Sequence, residues 1–476
     1  MAGYEPEPGH EPDVAARAAE PRAPAPAGVG TAAGSASQGP VPDPGGGPAP
    51  ASSPESGLPG GGFRAPFPSA GLPTVAEALQ RILAAAGRPP LATEEVPLAV
   101  ALGRVLAKPV YAPEDVPGFH RSTVDGYAVR SQDLRGVEPG RPARLQVAGR
   151  VLAGQPAQVT VEPGQAVAVP TGGMLPPGAD CVVMFEHTTR EGPWLLVHRF
   201  AGPGDNVIAR GEDAAAGLAL LPAGRRLGPA ELGALAGAGV TRLAVARGPR
   251  VALLLTGDEV VPPGQVPAPG QIRDINGVAL TAALRQDGAE PLDPVYVPDE
   301  PDAFRQALGA ALAAADLVLI SGGSSVGERD LTAELAAELE PPGVILHGIA
   351  LKPGKPTLFA MAGRKPVFGL PGNPVSALVV YRLLVRPLIQ RWLGLAPEPG
   401  PGPRIRARLE TALRRPPGRE EYVPVALIWR GGEYGARPQP RKSGLISALT
   451  GAQGLVHLPL EIEGLPAGAE VEVIPW

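Results

Sequence analysis

Between residues 249 and 396 the chain alternates short apolar runs with longer amphipathic ones. "RVALLL", "DLVLIS", "GVILHGIAL" and "PVFGL" read as buried-type strands, too short and too uniformly apolar for surface helices. "NGVALTAALRQDG", "AFRQALGAALAAA", "LTAELAAEL" and "PVSALVVYRLLVRPLIQRWLG" read as helices, the first closed by Gly288. Strands alternating with helices predict a doubly wound, parallel α/β domain over 249–396. Ligands of such a domain sit beyond the carboxyl ends of its strands, so the residues just after each strand are the ones to inspect.

Those strand ends are polar and glycine-rich. Thr256-Gly257-Asp258-Glu259 follows "VALLL"; two adjacent carboxylates there could repel each other, hold a metal or orient an electrophile. "SGGSSVGERD" (321–330) follows "DLVLI": Gly322 and Gly323 allow close backbone approach, and successive N–H groups can form an anion nest. Ser324 and Ser325 add hydroxyls, and Asp330 stands at the entry to the next helix. In "LPGNPVSA", Gly372 precedes Asn373 at an N-cap position and Pro374 at the first helical position, so this helix start could cap itself or face an anion. "LKPGKP" carries Lys352 and Lys355, two of only five lysines beside 37 arginines, and a compact ammonium suits a small oxyanion. Asp274 and Asn276 in "DIN", and Asp299 in "VPDEPDAF", are helix caps or ligand contacts.

The remaining sequence divides on similar signals. Residues 1–72 read as a disordered Pro/Gly-rich extension: residues 1–70 hold 28 Gly and Pro and only eight of V, I, L, M, F, W and Y, too little apolar surface to offset chain entropy. "TVAEALQRILAAAG", with Thr74 as N-cap, opens a helical linker domain that is discontinuous, 73–116 and 214–248. "PLAVALGRVLAKPV" reads as a second helical or strand–helix piece. Short runs between Pro/Gly turns make 117–213 an inserted β-rich domain. It carries Asp125-Gly126, read locally as a hairpin turn, Thr171 after an apolar strand, and Glu212-Asp213. After a linker, 402–476 reads as a small all-β, barrel-like domain.

Composition excludes several classes. No run of about 18 apolar residues suggests a membrane span, and no basic-then-apolar leader suggests secretion. A lone cysteine, Cys181, excludes an intrachain disulfide and a cysteine-cluster metal site, and its apolar setting marks it as a buried small hydrophobe. Net charge is −5 and aromatics are 4%, which argues against nucleic-acid binding. No histidine pair has ligand spacing, and neither a Walker A loop nor a G-x-S-x-G elbow occurs. The expected compartment is the cytoplasm.

Taken in order, "DVPGFHRSTVDGYAVR", "PTGGMLPPGAD", "GED", "TGDE", "DIN", "SGGSSVGERD", "LKPGKP" and "GLPGNPVSA" make residues 73–476 resemble the molybdopterin molybdenumtransferases of the MoeA type, related to the E domain of gephyrin. The resemblance implies a four-domain, elongated homodimer whose active site lies between the α/β domain of one subunit and the N-terminal domains of the other. It implies adenylylated molybdopterin and molybdate as substrates, molybdenum insertion with release of AMP, and an assisting magnesium ion. It implies that Asp125, Thr171, Asp213 and Glu259 are needed for activity and that Asp299 and Asp330 hold magnesium. Thr256, Gly257, Asp258, Asp274, Asn276, the Gly322–Ser325 loop and Gly372–Pro374 would bind the pterin substrate. Lys352 and Lys355, with Arg419 and Ser443 from the last domain, would bind molybdate. The expected protein partners are a molybdopterin adenylyltransferase and apo-molybdoenzymes. The chain departs from the family pattern at His120, commonly Asp, and at Ile208, often Arg. Its "STVDG" leaves tungstate open as the natural anion, and a non-catalytic gephyrin-like scaffold or a pterin-adenylylating enzyme are the competing readings.

Overall fold

In the computed structural model the strand Arg250–Thr256 lies next to one edge of a seven-stranded sheet. The structure describes residues 71–87, 92–138, 140–322, 331–395, 402–415 and 418–476, so the expectation for residues 1–70 lies outside the described residues. Arg250–Thr256 pairs in parallel with Leu317–Ser321 on one side and with Glu290–Pro291 and Val295–Val297 on the other. Leu317–Ser321 pairs in parallel with Lys365–Leu370. Val251 and Leu253 enter one apolar cluster, while Ala252 and Leu254 enter another on the opposite face. A strand buried on both faces must be apolar at every position, which is why "VALLL" does not alternate.

The sheet is not wholly parallel. Leu358–Ala362, which has no clear strand signal in the sequence, pairs antiparallel with both Lys365–Leu370 and Gly343–His347. The two-residue connection at Gly363 and Arg364 is too short for a parallel crossover and forces the hairpin. The long helix expected after Asn373 is Pro374–Val380 and Arg386–Leu393 joined by a π turn, Tyr381–Val385. Pro387 lacks the N–H that a regular helix would donate to Leu383, and the turn widens just ahead of it.

The N-terminal piece begins with helix Val75–Ala86, capped reciprocally by Thr74 and Glu77. The next segment is less helical than expected: strand Thr93–Pro97 and one 3₁₀ turn, Leu98–Val100. Thr93–Pro97 pairs with Arg242–Ala246, and Val110–Tyr111 with Ala219–Leu221, so segments before and after the β-rich insert close one unit. The insert holds a six-stranded sheet, ordered Cys181–Met184, Gly126–Val129, Gln165–Val169, Ala143–Arg150, Trp194–Val197, Thr188–Glu191. Gly126 is therefore a strand residue and not part of a hairpin turn. A Cβ there would lie 2.1 Å from the Val183 carbonyl, so close strand pairing requires the glycine.

The last domain is a closed β-barrel. Glu420–Arg430, Glu433–Pro438, Ile405–Leu409, Glu470–Pro475 and Gly454–Leu458 pair in that order, and the last returns to the first. The barrel is tied to the α/β domain because Leu351–Lys352 adds to Glu420–Arg430 as a parallel strand, Lys352 opposite Glu421. Glu420, nearly buried, accepts the Val75 N–H at 2.8 Å and contacts His457 Nε2 at 2.7 Å, so it joins the first helix to the barrel.

Candidate functional site: two adjoining cavities

At the carboxyl ends of the parallel strands lies a cavity of about 430 Å³ lined by Thr256, Glu259, Asp274, Asn276, Gly322 and Gly372–Pro374, among others. The topological rule for doubly wound sheets places it there. Thr256 ends the strand Arg250–Thr256, and its Oγ1 is buried without a hydrogen-bond partner. Asn276 opens the helix Asn276–Asp287. Its Nδ2 donates to Ser321 Oγ at 2.8 Å and to the Gly372 carbonyl at 2.7 Å, which leaves Oδ1 buried and unpartnered. Two orphaned polar atoms in one cavity wall are what a ligand with its own hydrogen-bonding edge would satisfy.

Asp274 is a buried carboxylate in the same wall. Its Oδ1 accepts the Gly277 N–H at 2.7 Å and its Oδ2 the Tyr296 hydroxyl at 3.1 Å. Burial, reinforced by the Asp274 charge, pushes the Tyr296 hydroxyl up to about 12. Gly322 has φ 112°, and a Cβ there would stand 2.2 Å from the Thr256 carbonyl, so only glycine lets these two strand ends approach. Gly257 also has positive φ, 125°, in the turn carrying Asp258 and Glu259. Asp258 Oδ1 accepts the Asp299 N–H at 3.2 Å. Burial and the charges of Asp258 and Glu259 together raise the Asp299 carboxyl above the usual carboxylate range. Gly323, Ser324, Ser325 and Asp330 lie outside the described residues.

A second cavity, of about 240 Å³, shares Pro356, Pro371 and Asn373 with the first. It opens at the seam between the α/β domain and the barrel. Lys352 and Lys355 come from one side, Arg419, Arg441 and Ser443 from the other. All four residues expected to bind an oxyanion therefore converge, though Arg419 and Ser443 lie more than sixty residues from the lysines. Arg441 carries no signal in the sequence that marks it for this place. It makes a bidentate contact with Glu421, itself nearly buried, with Nε at 2.9 Å. Lys352 Nζ approaches the same carboxylate at 3.2 Å. The Asn373 side chain makes no cap to its helix and instead lines both cavities. Asn373 thus holds the N-cap position without the capping hydrogen bond.

A third group lies in the β-rich block. Asp125 Oδ1 accepts the Thr171 N–H at 2.7 Å, so these two predicted residues meet. The Asp213 N–H donates to the Val116 carbonyl at the root of the block. His120 Nδ1 accepts the Arg210 N–H at 3.2 Å, and Arg210 Nε pairs with Asp115 at 2.7 Å. An arginine two residues after Ile208 thus anchors this loop, while Ile208 pairs with Arg121. None of these residues lines either cavity. The Cys181 thiol, buried and pushed up to about 12 by that burial, is a core group.

A magnesium ion shared with phosphate takes one or two protein carboxylates and fills its shell with water and phosphate oxygens. Asp258 and Asp299 fit that need, since a cation would relieve the repulsion that raises Asp299. They do not form a protein-only cage: among the described residues no three potential ligands converge. Nor is any helix of the described residues long and apolar enough to cross a membrane.

Residues 73–239 match the MoeA N-terminal region (domains I and II), 252–391 a probable molybdopterin binding domain, and 406–476 the MoeA C-terminal region (domain IV). A molybdopterin molybdenumtransferase of Nostoc sp. is 36% identical over 389 residues, 80% of this chain and 88% of that protein. Molybdopterin molybdenumtransferase 2 of Mycobacterium tuberculosis is 34% identical over 385 residues, 79% of this chain and 94% of the other. A crystal structure of a molybdopterin biosynthesis MoeA protein from Pyrococcus horikoshii superposes with TM-score 0.73 at 29% identity, covering 85% of this chain and all of that one. Fold and sequence agree: the chain belongs to the molybdopterin molybdenumtransferase family, enzymes of molybdenum cofactor biosynthesis.

Proposed function

We propose that the larger cavity binds the pterin–phosphate portion of adenylylated molybdopterin and the smaller cavity binds molybdate. The observation that carries this reading is the pair of adjoining cavities, one with unpartnered polar atoms and one lined by cations. Insertion needs the pterin's dithiolene and an oxyanion side by side, and two sites sharing Pro356, Pro371 and Asn373 supply that proximity.

The chain's own groups have distinct tasks in this reading. Asn276 Oδ1 and Thr256 Oγ1 meet the polar edge of the pterin ligand. Lys352, Lys355 and Arg419 hold the oxyanion, with the Ser443 hydroxyl as a further donor. Asp258 and Asp299, with Asp330 as the family resemblance implies, would hold magnesium, and the ion would supply charge neutralisation at the pyrophosphate. Water attacks the AMP phosphorus, the bridging P–O bond breaks with its oxygen staying on the pterin's phosphate, and AMP leaves. The two dithiolene sulfurs replace two oxygens of molybdate, which depart as two waters with the thiol protons and the two protons released on hydrolysis.

Asp125, Thr171 and Asp213 line neither cavity, which favours a homodimer in which a second copy presents its β-rich block to the site. Asp125 there orients or deprotonates a reacting group. An adenylyltransferase supplying the substrate and apo-molybdoenzymes taking the product complete the expected partners, and the cytoplasm is the compartment that suits them.

The test is AMP release from adenylylated molybdopterin by purified protein, with molybdate and with tungstate. AMP appearing with molybdate supports the reading. A response to tungstate alone makes tungstate the substrate. No release with either anion leaves a scaffold role, and ATP consumption without either points to adenylylation.

A further inference from the structure

We propose that Glu421 is a positioning residue for the oxyanion cavity: from beneath its wall it fixes the Lys352 ammonium and the Arg441 guanidinium as donors to a tetrahedral dianion. The inference rests on the oxyanion reading of that cavity and adds Arg441 and Glu421 to it.

The cavity wall holds four cations, Lys352, Lys355, Arg419 and Arg441, and one carboxylate, Glu421. A carboxylate in an anion site opposes binding by its charge, so its presence there needs a reason. The Glu421 side chain is 3% exposed, whereas Lys352 and Arg441 are 37% and 31% exposed. Glu421 is therefore the fixed member and the two cations extend from it. Both of its oxygens meet the Arg441 guanidinium, whose NH1 also donates to the Arg414 carbonyl at 2.8 Å. That arrangement alone satisfies a buried carboxylate. The Lys352 contact at 3.2 Å is additional, and it reaches a cation that comes from the other domain. The parallel pairing of Lys352 with Glu421 puts both side chains on the same face of the seam.

A lysine has four rotatable bonds and loses much entropy when an anion orders it. An ammonium carries three donors. Held by one toward Glu421, it keeps the others directed at the cavity, and the ordering cost is met on folding instead of on binding. The carboxylate thus trades some Coulomb attraction for fixed geometry.

The sign of the effect separates this from the alternative. If Glu421 were only an unfavourable charge, Glu421→Gln would lower the molybdate requirement. Positioning predicts the opposite: the KM for molybdate rises about tenfold while kcat and binding of the adenylylated pterin change little. Glu421→Asp, which keeps the charge and shortens its reach, should raise the KM as well, and serves where the Gln variant does not fold. In a Lys352→Ala background the Glu421→Asp change should raise the KM by a smaller factor than in wild type, about threefold, because part of its effect passes through that lysine and the rest through Arg441. An unchanged or lowered molybdate KM in a folded Glu421 variant overturns the proposal. Full additivity with Lys352→Ala also overturns it. Wild-type protein that releases no AMP with molybdate overturns the oxyanion reading, and this inference with it.

Discussion

The larger cavity is made by one sheet, and the smaller by two domains meeting edge to edge. The first draws its walls from strand ends and the helix starts that come after them, over residues 255–374. The second joins residues 351–376 to residues 419–443 across one short pairing of Leu351–Lys352 with Glu420 and Glu421. The first is lined by two carboxylates, Glu259 and Asp274, and carries two orphaned polar atoms, whereas the second is lined by four cations. A sheet-end site is as rigid as its core. A seam site depends on the docking of the barrel, so perturbations of the seam should reach the smaller cavity first.

The largest expected effect is on the cationic side. Lys352→Ala with Lys355→Ala should reduce molybdate-dependent AMP release about a thousandfold, with equilibrium binding of adenylylated molybdopterin kept within threefold. Loss of pterin binding to the same degree would mean that the two cavities are not separate sites. Asp125→Asn should lower turnover about a hundredfold with little change in fold, because asparagine retains an acceptor for the Thr171 N–H. Mixing it with a Lys352→Ala, Lys355→Ala protein should restore part of the activity if one subunit's block serves the other's cavities; no recovery would place both groups in one chain's site. Gly322→Ala should weaken pterin binding about tenfold and destabilise the protein by about 2 kcal/mol, since its φ is 112° and the added Cβ meets the Thr256 carbonyl.

A smaller effect is the response to acid. Burial alone would raise the Glu420 carboxyl, but hydrogen bonds from His457 and the Val75 N–H outweigh it and hold the group below its ordinary value of 4.5. A carboxyl lowered on folding contributes stability that is fully present above that ordinary value and is lost as pH falls through the lowered one. Barrel docking should therefore weaken below about pH 4.5, and the thermal midpoint of Glu420→Gln should show a flatter acid slope than wild type. An equal slope would show that Glu420 does not carry the docking.

Legibility in the sequence divides along the same line. The strand-end residues can be found because a buried strand announces itself by composition and the topological rule then names its end. Thr256, Asp274, Asn276 and Gly322 all line the predicted place. The seam is less legible. Lys352 and Lys355 stand out because lysine is rare here, but their meeting with Arg419 and Ser443 comes only through family likeness. Arg441 and Glu421 escape sequence reasoning, since their roles depend on a two-residue pairing between segments about seventy residues apart, which leaves no local pattern. The antiparallel Leu358–Ala362 escapes it for a related reason: "LFAMA" is short, and its identity as a strand comes from its hairpin with Lys365–Leu370. The turn reading of Asp125-Gly126 fails because Gly126 answers to a neighbouring carbonyl and not to its own backbone turn.

The most direct test is anomalous diffraction from crystals of the whole protein soaked with molybdate and, separately, tungstate. We expect one metal-centred peak bounded by Lys352, Lys355, Arg419 and Ser443, lost in the Lys352→Ala, Lys355→Ala protein. A peak beside Asp258 and Asp299, or none in the seam cavity, would contradict the division of the site into a pterin cavity and an oxyanion cavity.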